Sequence, residues 1–366
     1  MIHEAYQQQG SYTIPLVAET PPNTFATCVE FGVIYVTPQW VDPDADIQAM
    51  ARYAGPVLNT QRTLSGYLIE GAGMVWYLGG PDGDGPSDLE TAVTFSSATP
   101  TTVLAAAGLL PSAVTAGTIT TTGVNAYNGY HQFESPLDAV RTYCKTVNGH
   151  FKVNPDGTLD FSDVDATSGN PYNGGDATNI TVVVVREGYG SDPIFEGVPV
   201  RNAETKRDAR PYRTRVALIQ ERDDAAGYMS LVSGSTRGTI TFKDVHGNTL
   251  DRTTWLVRPA SADVDLDQLL TTELAERVVE DVQEVDTEQY QFAGGDLRVG
   301  DLFHIYDPPT GFVDTSNEVT FRGSTIWPKK TRLLNASWPL ADGMGVFYRD
   351  STGVYTDLTR WIRWEA

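Results

Sequence analysis

From Leu137 to Val147 the apolar positions Leu137, Val140, Cys144 and Val147 are spaced by three, four and three residues, a single narrow stripe on a helix. Ser135 is a good N-cap, Pro136 occupies the first helical position, and Asp138 follows where a carboxylate answers free N–H groups. Asn148-Gly149 supplies the left-handed residue that ends such a helix, so one is predicted over 135–148. The period then changes to two around Asn154-Pro155-Asp156-Gly157, a type I turn with Gly157 in the bulge position. A hairpin over 150–161 follows, pairing Val153 with Leu159 and Phe151 with Phe161 on one face, and Lys152 with Asp160 on the other. This helix-hairpin unit reads as a docking module without evident chemistry.

Strand patterns dominate elsewhere. Ala26 to Val36 is β-branched and aromatic, and Tyr67–Glu70 and Met74–Leu78 flank Gly71 and Gly73 in the manner of a hairpin. Asp42 to Tyr53 predicts a short helix, and Val103 to Leu110 another, ended by Pro111. A Gly/Asn/Asp linker at 164–178 precedes Ile180–Val185, an apolar run long enough for one buried strand. Strands are then predicted at Arg213–Gln220, Tyr228–Val232, Thr239–Lys243 and Thr253–Arg258, with a turn at His246-Gly247-Asn248. Leu266, Leu269, Leu270, Leu274 and Val278 mark the buried face of a helix at about 265–280, and strands continue from Leu297 to Trp364. The expected organisation is mainly β with an α+β insertion. An N-terminal β-rich unit spans 1–92, an α+β unit 93–196 and a second β-rich unit 197–366.

Composition sharpens this picture. Among 366 residues, 34 Gly and 21 Pro without a period favour a strand-rich protein with many turns. The net charge of −21 argues against a sequence-independent nucleic-acid binder and against an anionic membrane as partner. The two cysteines, Cys28 and Cys144, read as buried thiols, and no run reaches the ~18 apolar residues of a membrane helix. The start MIHEAYQQQG has neither basic n-region nor apolar h-region, so no export signal and no membrane insertion are expected. Without such a signal, the sequon Asn179-Ile180-Thr181 carries little meaning.

A basic cluster interrupts the acidic background: Arg201, Lys206, Arg207, Arg210, Arg213 and Arg215. With few aromatic residues among them, they suit ion pairing to acidic surface of a neighbouring subunit better than nucleic acid. Arg207, Arg210, Arg213 and Arg215 are therefore the candidate interface residues. The loop Asp82 to Glu90 begins like a calcium loop but has Pro86 and Ser87 at the next ligand and turn-glycine positions, and Val93 where the closing glutamate belongs. It reads as a solvated turn.

His3, His131, His150, His246 and His304 show no metal-ligand spacing, and no nucleophile elbow, P-loop or dinucleotide fingerprint appears. Acidic pairs for glycoside hydrolysis could be drawn from the 47 carboxylates, with nothing to select two of them. No catalytic, cofactor-binding or metal residue is assigned, and a non-enzymatic protein without a small-molecule substrate is expected. The alternatives are a receptor- or carbohydrate-binding β protein, or a cell-wall hydrolase. The first would draw on the seven tryptophans, although Trp327, Trp338 and Trp361 are more simply read as core.

Several stretches resemble the minor tail proteins, or tail hubs, of long-tailed phages infecting actinobacteria, a family similar in fold to phage baseplate hubs. They are VGD at 299–301, YDP at 306–308, VDTSNEVTFRG at 313–323, TRLL at 331–334, Trp338-Pro339 and GMGVFYRD at 343–350. WYLG at 76–79 and the stretch from HQFESPLDAV to NPDGTLDF over 131–161 agree as well. The resemblance implies two small β-barrel domains of baseplate-hub type plus a helix-hairpin domain. It also implies a homotrimer at the virion tail tip, assembled in the host cytoplasm. Such a hub would meet the distal tail protein ring, the tape-measure protein and other minor tail proteins, and DNA would pass through without specific binding during ejection. Larger family members append a peptidoglycan-cleaving domain, for which no room is expected after Trp364.

Overall fold

The computed structural model describes residues 1–5, 7–17, 28, 32–64, 66–79, 89–105, 109–121, 127–132, 134–147, 149–163, 182–184, 200–208, 212–221, 229–237, 242–243, 246–250, 252–259, 266–275, 277, 280–287, 299, 302–306, 313–321, 324–340 and 342–363. The first five strands are β1 (Ile2–Ala5), β2 (Ser11–Val17), β3 (Val33–Thr37), β4 (Tyr53–Thr63) and β5 (Gly66–Gly71). They join three strands from the far end of the chain in one sheet, ordered 335–338, β1, β2, β5, β4, β3, 345–349 and 355–357. Every neighbouring pair is antiparallel. In β2 alternation decides the faces: Tyr12, Ile14 and Leu16 are buried, while the residues between them are not.

The longest strand among the described residues, β4, holds the two halves of this sheet together. Tyr53–Pro56 pair with β3 and Val57–Thr63 with β5, across a register shift between Val57 and Asn59. Such a bulge bends the strand, so that one segment serves two differently directed half-sheets. A bridge from Leu16 to Ile362, with the Arg363 N–H donating to Pro15 O at 2.9 Å, folds the chain's last turn back on β2. The enclosed core contains Ile2, Tyr12, Ile14, Val57, Ile69, Trp338, Val346, Tyr348 and Ile362. One outcome differs from expectation: among the described residues the sheet is open, with 335–338 and 355–357 at its two edges, and does not close into a barrel. This first core draws strands from both 1–92 and 197–366, because the order of strands follows pairing partners and not chain position.

After Gly71 the predicted second hairpin strand is instead a 3-10 turn, Met74–Leu78. Both edges of β5 are already taken, by β2 and β4, so the following segment has no ladder to join. It buries Met74, Trp76 and Leu78 as a plug between cores. Helix α1 (Ile47–Met50), capped by the Asp46 carboxylate on Ala49 N, is shorter than the predicted 42–53, since Ala51 is extended and β4 begins at Tyr53. Helix α2 (Pro100–Ala105) starts before the predicted Val103, with the Thr99 hydroxyl accepting from Thr102 N and Pro100 at the first helical position.

The central unit follows the sequence closely. Strand β6 (Val93–Ala98) and strand β8 (Tyr127–His131) pair antiparallel, and between them β7 (Thr115–Thr120) runs parallel to a later hairpin strand. Helix α3 (Pro136–Val147) begins where predicted: Ser135 Oγ accepts from Asp138 N at 3.1 Å and donates to the Asp138 carboxylate at 2.8 Å. Strands β9 (His150–Val153) and β10 (Thr158–Ser162) pair in the predicted register, Val153 with Leu159, Lys152 with Asp160 and Phe151 with Phe161. Gly157 takes the left-handed conformation, φ +83°, that closes the turn. Leu137, Val140, Cys144, Phe151, Leu159 and Phe161 lie within one core.

Beyond residue 181 the described strands form smaller sheets. Val182–Val184 runs parallel to Leu302–Tyr306, and Arg215–Glu221 lies between antiparallel Met229–Arg237 and parallel Thr253–Pro259. The turn at His246-Gly247-Asn248 joins Phe242–Lys243 to Thr249–Leu250. Helix α4 (Leu266–Ala275) packs Leu270 and Leu274 on Val216, Leu218 and Leu256. It is shorter than the predicted 265–280, because from Glu280 the chain is a strand paired with Val200–Asp208. The linker at 164–178 and the sequon at 179–181 lie outside the described residues.

Candidate interaction surface

The basic cluster divides in two. Lys206 and Arg207 lie on Val200–Asp208, whose antiparallel partner is the acidic strand Glu280–Thr287. The register sets Arg207 opposite Asp281 and Lys206 opposite Val282. Arg210 lies outside the described residues. Arg213 and Arg215 belong to a different place, where the strand Arg215–Glu221 begins. The Arg213 N–H donates to Arg277 O at 2.9 Å and its guanidinium to Tyr212 O at 3.0 Å. Arg215 sits over the ring of Trp255, 5.9 Å from its centre, an arrangement created by the parallel pairing of their strands. Trp255 is half exposed, so the ring presents one side to solvent.

Next to it lies a buried charge that the sequence reading missed. Glu273 of α4 is 3% exposed and accepts from Lys145 Nζ of α3 at 2.6 Å and from Arg277 Nη2 at 2.7 Å. Burial alone would raise its pKa; the hydrogen bonds and charges of Lys145 and Arg277 outweigh that and hold it below the usual glutamate value. The signal was in the spacing: Glu273 falls three residues after Leu270 and one before Leu274, inside the helix's buried arc.

His131 is buried, its Nε2 2.8 Å from Tyr127 Oη and its Nδ1 2.7 Å from Glu134 Oε1, which ties β8 to the residue before the α3 cap. His3 Nδ1 lies 2.7 Å from Ser337 Oγ across the sheet. Among the described residues no three His, Cys, Asp or Glu side chains are grouped to hold a metal ion, and of the acidic loop only Leu89 and Glu90 are described. Both cysteines are buried thiols, and burial pushes Cys144 well above its ordinary pKa. Trp338 is buried and Trp361 packs on the first core, as expected; Trp327 instead leaves more than a third of its surface in solvent.

No protein-family model matches the chain, and no curated protein sequence does. Solved structures do. The tail protein from Neisseria meningitidis MC58 superposes with a TM-score of 0.55 at 12% identity, over 97% of this chain and 88% of that one. The fold is shared with a tail protein. Two others are less similar: the 43 kDa tail protein of prophage MuSo2 from Shewanella oneidensis, TM-score 0.44 at 11% identity over 97% and 90%, and prophage tail protein gp18 from Listeria monocytogenes EGD-e, 0.41 at 9% over 91% and 82%. The fold likeness rests on the first, and it runs almost from end to end.

Proposed function

We propose that this chain is a structural component of a phage virion, the hub protein of the tail tip. The observation that carries the reading is the fold likeness to a tail protein over 97% of the chain, in a molecule whose sequence also resembles tail hubs. In this role the chain is a minor tail protein that forms a homotrimeric ring. That ring joins the tail tube and its distal ring to the host-contacting tip, beside the tape-measure protein and other minor tail proteins.

The charge fits a conduit. Three copies at −21 each bring −63 to the ring, and like charge keeps passing DNA from adhering to the wall. Neutralising lumen-facing carboxylates should slow DNA ejection, and an unchanged ejection rate would remove this part of the reading. Arg207, Arg210, Arg213 and Arg215 are proposed to lie at the subunit seam, with half-exposed Trp255, over which Arg215 sits, as its anchor.

Electron microscopy of the purified chain tests the assembly. Threefold rings are expected, and fewer of them after reversing Arg210 and Arg213 to Glu. Rings that persist unchanged in that variant would move the seam elsewhere. Glycan binding or clearing of cell-wall substrate by the isolated chain would favour a receptor-binding or hydrolytic protein instead.

A further inference from the structure

Charge is distributed unevenly along this chain. The first 140 residues hold 13 carboxylates against two cations, Arg52 and Arg62. Residues 201–215 carry six cations against two carboxylates, a net of +4 in a chain of −21. One group of the N-terminal acids coincides with an exposed aromatic. Trp40 follows β3 and keeps half its surface in solvent, although its indole Nε1 donates to Asp357 Oδ2 at 3.1 Å and its backbone N–H to Gly343 O at 2.6 Å. The ring is thus held in one orientation without being buried. Asp42, Asp44 and Asp46 come next, all exposed, on the turn into α1.

Side-chain contacts bring this turn to the edge strand at 355–357. Gln48 Nε2 of α1 donates to Tyr35 Oη at 2.9 Å, and the rings of Tyr35 and Tyr355 meet edge to face at 5.8 Å. Trp40 and the aspartates therefore border one edge of the eight-stranded sheet, beyond which no strand lies among the described residues. The two arginines nearest that edge in sequence face rings: Arg349 lies over Tyr355 at 5.7 Å and Arg360 over Trp361 at 4.9 Å. Among the described residues no ion pair reaches Asp42, Asp44, Asp46 or Asp357. A fixed, half-exposed indole offers contact area at little cost in side-chain entropy, and unpaired carboxylates beside it select a cationic partner.

We propose that the Trp40 edge docks the basic run 201–215 of a second copy of this chain, so that the basic seam of one subunit meets the acidic edge of the next. The inference rests on the homotrimer reading. A closed ring of three needs a heterologous contact, made by two different patches that match. The net of +4 over 201–215 and the unpaired aspartates supply that match, and half-exposed Trp255, under Arg215, brings the end of the run to the surface. Light scattering of the full chain over a range of concentration compares the parent with Trp40→Ala and with Asp42→Lys plus Asp44→Lys. A fourth protein combines that aspartate pair with Arg210→Glu and Arg213→Glu. The concentration for half-assembly should rise at least about tenfold in each of the first two variants, and the charge exchange should recover most of the second loss. Asp42 and Asp44 are exposed and lie outside the α1 cap, and an unchanged urea midpoint shows that each variant is folded. If either substitution leaves assembly unmoved, or the exchange recovers nothing, the docking site is overturned while the hub reading stands. A parent chain that stays monomeric at every concentration would overturn both.

Discussion

Replacing Glu273 by Gln tests the link between the helix-hairpin unit and the sheet that follows it. The carboxylate is nearly fully buried and receives two short charged hydrogen bonds, one from α3 and one from beyond the end of α4. Removing one partner from a wholly buried ion pair costs about 3–5 kcal/mol, because the remaining charge is stranded. Here Lys145 and Arg277 keep 29% and 31% of their side-chain surface exposed, so both can turn toward water once released. Glutamine also still accepts one hydrogen bond. The expected loss is therefore about 2 kcal/mol. Urea unfolding, followed by hydrogen exchange in α3 and α4, should show both helices losing protection together. In a double-mutant cycle with Lys145→Met the coupling should be about 1 kcal/mol or more.

The pH dependence has a fixed sign. The folded-state pKa of Glu273 is lowered, so its contribution is complete above the unfolded value of about 4.3 and is lost as pH falls through the folded value below it. The Glu273→Gln variant should thus lose less stability on acidification than the parent. Additivity within about 0.5 kcal/mol in the cycle, with identical acid profiles, would refute the reasoning.

Three further outcomes are expected. Ser135→Ala, which removes the capping hydroxyl from Asp138 N, should cost about 1 kcal/mol, and loss of less than a few tenths in urea unfolding would deny the cap a role. Gly157→Ala places a side chain at φ +83° with Ala113 O 2.9 Å from its Cβ, so it should cost roughly 1–2 kcal/mol, measurable as a shift of the unfolding midpoint. Cys144, buried and held protonated, should resist a thiol reagent in the native protein and react once urea opens the core; fast labelling of the folded chain would show that the stripe is accessible.

The parts of the fold that could be read from sequence are those whose signals are local. Around α3 and the β9–β10 hairpin the cap, the apolar stripe and the turn all fall within 135–162, and the register of Phe151 with Phe161 follows from the turn alone. The eight-stranded sheet was illegible for the opposite reason. Ile2 pairs with Trp338, and nothing near either residue specifies a partner so distant in the chain. Met74–Leu78 is apolar enough for a strand, and only the occupied edges of β5 decide against it. At the candidate surface the same distinction holds. The basic residues were visible as a run, but Arg215 meets Trp255 through a parallel pairing, and Glu273 meets Lys145 across 128 residues. Pairing at long range separated Arg207 from Arg213 and Arg215, although they are close neighbours in sequence.

The central claim is that copies of this chain assemble as the threefold hub of a tail tip. Absolute mass by light scattering, over a range of concentration, tests it most directly. Three chains of 39.9 kDa make about 120 kDa, and the account predicts that mass, or a rise toward it with concentration. A strict 39.9 kDa monomer at the highest concentration would contradict self-assembly and return the chain to the class of solitary binding proteins.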